Sequence, residues 1–115
     1  IVRREGPDIR RYVHLGTGNY NRSTSTVYTD FGLLSDDADL GADLSELFNY
    51  LTGFSKQNTW RKIWVAPETL RAQLMAAIER EEAHAREGRA ARIIAKMNAL
   101  VDPRVIRGLY RASQA

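Results

Sequence analysis

The sequence predicts an α/β fold. Three observations carry this. Stretches rich in Val, Ile, Tyr and Trp fall at 9–15, 26–34, 60–66 and 92–97, the residue types that favour extended chain. Between and after them, apolar residues recur at helical spacing. The helix-like stretches begin on short oxygen side chains or proline, at Ser35-Asp36-Asp37, Pro67 and Asp102-Pro103, the chemistry of helix starts. Strand, helix, strand, helix over the second half implies a right-handed crossover. The expected class is therefore α/β with mixed or parallel strands flanked by helices.

Each element has its reason. In Ile9-Arg-Arg-Tyr-Val-His-Leu15, side chains alternate between faces, so Ile9, Arg11, Val13 and Leu15 share one and Arg10, Tyr12 and His14 the other. Gly16-Thr17-Gly18-Asn19 then turns the chain, and polar residues 20–25 read as a loop. A strand is expected over 26–34, with Tyr28 and Asp30 on one face. Asp36, Asp37 and Asp39 suit the positive end of a helix dipole. Behind them Leu40, Leu44, Leu47, Phe48 and Leu51 form an amphipathic stripe that Gly53 ends. Residues 53–59 read as a linker. After the strand at 60–66, Pro67 opens a helix with Leu70, Leu74, Ala77 and Ile78 inward, ending near Gly88. Asp102-Pro103 starts a last helix expected to bury Val105, Ile106, Leu109 and Tyr110.

Composition bounds the function. The 115 residues hold 17 Lys+Arg against 14 Asp+Glu, a net charge of +3, and no cysteine. Disulfide scaffolds, Cys-ligated metal sites and thiol nucleophiles are excluded. A membrane-spanning helix needs roughly 20 consecutive apolar residues, and the apolar runs here are only a few residues long. The mild basic excess is mostly that of a solvated surface, although Arg3-Arg4 and Arg10-Arg11 lie near the glycine turn. The sequence opens on Ile1 and runs directly into strand-like residues, which leads us to expect a piece of a longer polypeptide.

Three constellations could carry chemistry. The first is Val13-His14-Leu15-Gly16-Thr17-Gly18-Asn19. Its glycines would let backbone approach a ligand or take positive φ, successive N–H groups could cradle an anion, and His14 could bond a phosphate or move a proton. Spacing alone fits a purely structural turn at least as well. It is neither the P-loop pattern nor the dinucleotide fingerprint. The second is Tyr28 with Asp30, able to stack a base and orient an imidazole, or simply a half-buried tyrosine and a turn aspartate. The third is Lys96 with Asn98 at the end of a strand, where ligands of open α/β sheets lie; an edge lysine and a turn asparagine account for it equally. His84 reads as surface. No His/Asp/Glu set has metal spacing.

Taken together, Tyr12-Val-His-Leu-Gly-Thr-Gly-Asn-Tyr-Asn21, Tyr28-Thr-Asp-Phe-Gly-Leu-Leu34, Leu47-Phe-Asn-Tyr-Leu-Thr-Gly53, Arg92-Ile-Ile-Ala-Lys-Met-Asn-Ala-Leu-Val-Asp102 and Leu109-Tyr-Arg-Ala-Ser113 resemble bacterial polyphosphate kinase of the first type. The resemblance covers nearly the whole chain, with the motifs in order. It implies phospholipase-D-like α/β catalytic domains, with residues 1–54 ending the first and 55–115 beginning the second. It implies reversible transfer of the terminal phosphate of ATP to inorganic polyphosphate, with magnesium, through a phosphohistidine intermediate. The implied protein is a cytoplasmic, often membrane-associated homo-oligomer.

The resemblance carries residue by residue. His14 matches the histidine of a His-x-Gly-Thr-Gly-Asn motif, in the active-site region but not the phosphorylated nucleophile. That nucleophile belongs to a His-Ala-Lys motif which these residues lack, so the chain by itself is expected to be inactive. Asn19 matches the asparagine of phospholipase-D-like sites, Tyr28 a nucleotide-contacting tyrosine, and Asp30 an acidic residue expected to orient an imidazole. Gly16, Thr17, Gly18, Lys96 and Asn98 are the phosphate-binding candidates. The magnesium ligands would lie outside this stretch. ATP, ADP and polyphosphate are the expected partners, and nucleic acid is not. Two other readings stand beside this one: a phospholipase-D-like nuclease or phosphodiesterase, and a non-enzymatic polyanion-binding module.

Overall fold

The computed structural model describes residues 1–56 and 59–115. Gln57 and Asn58, within the linker expected over 53–59, lie outside the described residues. The chain divides into two compact units, Ile1–Ile63 and Trp64–Ala115. Each is described by itself.

Among the described residues the first unit holds two antiparallel hairpin-like ladders and one α-helix. Strands β1 (Val2–Glu5) and β2 (Asp8–Arg11) pair around the two-residue loop Gly6-Pro7. Gly6 takes φ +63°, the positive value that the first position of such a hairpin turn needs. The register sets Arg3 opposite Arg10, and like charges so placed repel. Glu5 offsets this, with Oε1 3.8 Å from Arg3 and Oε2 3.6 Å from Arg10, and it also accepts the Tyr12 hydroxyl at 2.6 Å. Strand β3 (Val13–Gly16) pairs with β4 (Gly32–Ser35), His14 opposite Leu34 and Gly16 opposite Gly32.

Helix α1 spans Ala38–Leu51. Asp37 caps it, its side chain accepting the Leu40 N–H at 2.9 Å. The expected apolar stripe is only partly covered. Leu40, Leu44 and Leu47 are half-buried, whereas Phe48 and Leu51 are 63% and 68% exposed. The helix buries Gly41 and Asp43 instead.

Asp43 is fully buried, and its carboxylate collects the chain at 61–63. Oδ1 and Oδ2 accept the Arg61 N–H at 3.0 and 2.9 Å, and Oδ2 also takes those of Lys62 at 2.7 Å and Ile63 at 3.1 Å. The Arg61 guanidinium adds a bond at 3.0 Å to Asp43 and reaches Glu46 at 2.8 Å. Burial pushes the Asp43 carboxyl up, but the N–H donors of Lys62, Arg61 and Ile63 outweigh it and hold the group below the usual carboxylate range. Lys62 meanwhile bonds Asp37 at 2.6 Å. That bond lowers the Asp37 carboxyl, with the Leu40 N–H assisting, and raises the lysine.

The second unit rests on two helices, α2 (Leu70–Arg86) and α3 (Pro103–Ser113). Asp102 caps α3, accepting N–H groups of Arg104 at 2.8 Å and Val105 at 3.2 Å, and Pro103 fills the first turn. Arg71 lies 2.8 Å from Asp102 and Arg111 lies 3.5 Å from Glu79. The start of α3 meets the start of α2 and its end meets the second half of α2, so the helices run parallel. Gly108 lets them approach: a Cβ there would lie 3.0 Å from the Met75 Cε. Ile78 and Val105 are buried at the contact, while Ile106 and Leu109 are half-buried and Tyr110 is 67% exposed.

Several expectations are corrected. The fold class holds as mixed α/β, but both ladders among the described residues are antiparallel. Neither 60–66 nor 92–97 is a strand. The 89–102 segment does return the chain between two parallel helices, as a crossover strand would, but no neighbouring strand receives it, and a lone strand leaves its backbone groups unpaired. Of the expected 26–34 strand only 32–34 forms, within β4 (Gly32–Ser35); a 3-10 turn at Thr24–Thr26 and irregular chain precede it. Tyr28 and Asp30 therefore share no strand face. Among the described residues the buried apolar side chains are Val13, Ile78 and Val105, and no helix is long and apolar enough to cross a membrane.

Candidate functional site

The glycine turn leaves β3 and folds against the chain entering β4. The Thr17 N–H donates to the Phe31 carbonyl at 3.0 Å. The Thr17 hydroxyl accepts the Phe31 N–H at 2.9 Å and donates to Asp30 Oδ1 at 3.1 Å. One threonine thus ties both arms together. Gly18 faces the same carboxylate, and a Cβ there would stand 2.8 Å from Asp30 Oδ1 and closer still to Oδ2. Neither Gly16 nor Gly18 adopts a positive φ. Of the two reasons expected for glycine, close approach and positive φ, the turn uses the first.

His14 projects from β3 over this turn. Its Nδ1 lies 3.2 Å from the Leu33 carbonyl, and its Nε2 meets the Tyr20 hydroxyl. A carbonyl can only accept, so Nδ1 carries the proton and Nε2 turns its lone pair to the phenol O–H. The two rings sit 5.8 Å apart at 58°.

Beyond Tyr20 the chain is pinned by Asn21. Its side-chain oxygen accepts the Ser23 N–H at 3.0 Å, the Ser23 hydroxyl at 2.6 Å and the Thr24 N–H at 3.2 Å. A cleft of about 440 Å³ lies among these residues, lined by His14, Gly16, Gly18, Asn19, Asp30 and Arg22, with Tyr20 and Ser25 also at its wall. An imidazole of fixed tautomer, a carboxylate, amide groups and a guanidinium there can bind an oxyanion and carry a proton.

Of the residues singled out in the sequence, His14, Gly16, Gly18, Asn19 and Asp30 line the cleft, and Thr17 braces it. Tyr28 does not line it; it is half exposed, its N–H bonded to the Thr24 carbonyl at 3.1 Å. Lys96 and Asn98 belong to the second unit. Tyr20 and Arg22 were missed; their signal was position, directly after the Gly-Thr-Gly-Asn turn. Among the described residues no three His, Cys, Asp or Glu side chains converge as a metal site.

Residues 1–57 match the family model described as polyphosphate kinase C-terminal domain 1, and residues 63–115 match polyphosphate kinase C-terminal domain 2. The chain belongs to the polyphosphate kinase family. It is 56% identical to the polyphosphate kinase of Synechocystis sp. and 59% identical to that of Thermosynechococcus vestitus, each over all of this chain and 16% of the relative. The polyphosphate kinase of Mycolicibacterium paratuberculosis is 55% identical over the same share. The crystal structure of polyphosphate kinase from Porphyromonas gingivalis superposes with a TM-score of 0.82 at 31% identity, covering 97% of this chain and 17% of that one. The chain thus spans about one sixth of the polyphosphate kinases it matches.

Proposed function

We propose that these residues serve within the catalytic half of a longer polyphosphate kinase that reversibly transfers the terminal phosphate of ATP to inorganic polyphosphate. Transfer passes through a phosphohistidine whose nucleophile lies on a His-Ala-Lys motif outside these 115 residues. The observation that carries this reading is the gathering of His14, Gly16, Gly18, Asn19 and Asp30 around one cleft, in a chain of this family.

Phosphoryl transfer asks mainly for positioning and charge neutralisation. In this reading His14 and Asn19 contact the phosphate side, and Gly16, Thr17 and Gly18 shape its wall. Asp30 orients an imidazole. Tyr28 offers its half-exposed ring to adenine, a stacking contact worth on the order of 1–3 kcal/mol by analogy with base stacking. Lys96 and Asn98 are further phosphate contacts. Bound magnesium would neutralise charge on the transferred group. The described residues do not fit it: Asp30 is the cleft's one lining carboxylate, and its Oδ1 already accepts Thr17.

Residues 1–54 would close the first phospholipase-D-like catalytic domain and 55–115 open the second. The whole protein is proposed to be a cytoplasmic, membrane-associated homo-oligomer.

Segment exchange tests the reading. The corresponding residues of the Synechocystis polyphosphate kinase are replaced by these 115, and polyphosphate made from ATP is measured. Synthesis is expected to persist, and His14→Gln in the exchanged enzyme is expected to lower turnover by about 100-fold, the scale of a lost acid–base group. A folded exchanged enzyme without synthesis, or full turnover in His14→Gln, refutes it. The 115-residue chain alone is expected to show no turnover.

A further inference from the structure

We infer that Arg22 is the cationic contact of the His14 cleft, placed to grip the non-bridging oxygens of a phosphoanhydride. The inference rests on the proposed function for the identity of the ligand, but its observations are separate.

Arg22 is the one Arg or Lys lining the cleft. Among the described residues no carboxylate or carbonyl engages its guanidinium. Arg3 and Arg10 are held by Glu5, Arg61 by Asp43 and Glu46, and Lys62 by Asp37 and Asp39; Arg4, Arg11 and Lys56 show no ion pair among the described residues, but they do not line the cleft. Asp30 lines the same cleft yet gives an oxygen to Thr17 at 3.1 Å, and no ion pair joins it to Arg22 among the described residues.

Several backbone N–H groups around the cleft are already bonded. The Thr17 N–H is taken by Phe31, and those of Ser23 and Thr24 are taken by the Asn21 side chain. The same bonds fix the base from which Arg22 projects, and its carbonyl accepts the Ser25 hydroxyl at 3.0 Å. A planar guanidinium on a braced turn can bond two oxygens of one phosphoryl group at once, a geometry that lysine does not reproduce.

The first arm of the test titrates the 115-residue chain with pyrophosphate, ATP and short-chain polyphosphate by calorimetry. Arg22→Gln is expected to weaken pyrophosphate binding about tenfold, the scale of one charged hydrogen bond, Arg22→Lys to recover part of it, and Arg107→Gln on α3 to leave it unchanged. A larger loss for ATP than for polyphosphate assigns the contact to the nucleotide, and the reverse assigns it to the polymer. Failure of the unaltered chain to bind pyrophosphate, equal binding by Arg22→Gln, or an equal loss in Arg107→Gln overturns the inference. The second arm uses the exchanged Synechocystis enzyme, where Arg22→Gln should raise KM for ATP or polyphosphate about tenfold with kcat little changed. An active exchanged enzyme whose KM ignores Arg22→Gln also overturns it. An inactive exchanged enzyme refutes the proposed function, and the calorimetry still decides Arg22.

Discussion

Asp43 and Asp30 are carboxylates of the same unit held in opposite ways. Asp43 is fully buried and accepts three consecutive N–H groups together with a guanidinium. Asp30 lies at an exposed cleft and is bonded by one threonine hydroxyl. Around Asp43 the neighbouring cations are bound to carboxylates; around Asp30, Arg22 is not. The first arrangement leaves no bonding capacity for a ligand and fixes the chain. The second leaves capacity open, which is what a binding site needs and a stable joint does not.

The largest expected effect breaks the buried side. Asp43→Ala strips the partner from the amides of 61–63 and from Arg61, and should cost about 3 kcal/mol, chiefly from amide donors left without an acceptor, measured by urea unfolding of the chain. Acid should reach the same joint. Because the folded Asp43 carboxyl lies below its unfolded value, its contribution is complete above about pH 4 and is lost as pH falls through the lower folded value. Asp37 and Asp102 shift the same way, so stability should fall in acid overall. An Asp43→Asn chain should start less stable and fall less steeply below about pH 4; parallel acid curves for the two chains would remove Asp43 from the account.

The cleft should respond more weakly. Gly18→Ala drives a methyl against Asp30 and should free it from Thr17, costing about 1 kcal/mol and shifting the resonances of Thr17 and Phe31 while those of 61–63 stay. Smallest of all, Tyr20→Phe should leave the unfolding midpoint unchanged while altering the His14 ring nitrogens in 15N spectra, because only Nε2 loses a partner. A large stability loss there would make the cleft a structural joint like the other.

How much of this was legible in the sequence depends on how local the cause was. Helices α1 and α3 were readable because Asp37 and Asp102 cap them from beside their own first turns, and α2 because its apolar spacing repeats within one segment. That His14, Gly16, Gly18, Asn19 and Asp30 line one cleft was readable because they come from two short stretches. The β1–β2 hairpin was overlooked: Gly6-Pro7 was a turn signal, but Val2–Glu5 is mostly charged and buries nothing. The strands expected at 60–66 and 92–97 failed because a strand is completed by a partner, and the partner is not written in the strand itself. Asp43 had a signal that was passed over. Positions 40, 43, 44 and 47 share one helical face, and a carboxylate inside a leucine stripe must find donors. Which donors, 18 residues or more along the chain, no periodicity could tell.

The Asp43 carboxylate has one more consequence, which concerns solvent protons. Loop amides ordinarily exchange with deuterium quickly, because local opening costs little. The amides of Arg61, Lys62 and Ile63 end on a fully buried acceptor, so they can exchange only when that carboxylate is uncovered. Three consecutive residues with no helix or strand around them should exchange like the middle of α1. A deuteration map would then show an island of protection in a region that secondary structure alone marks as open.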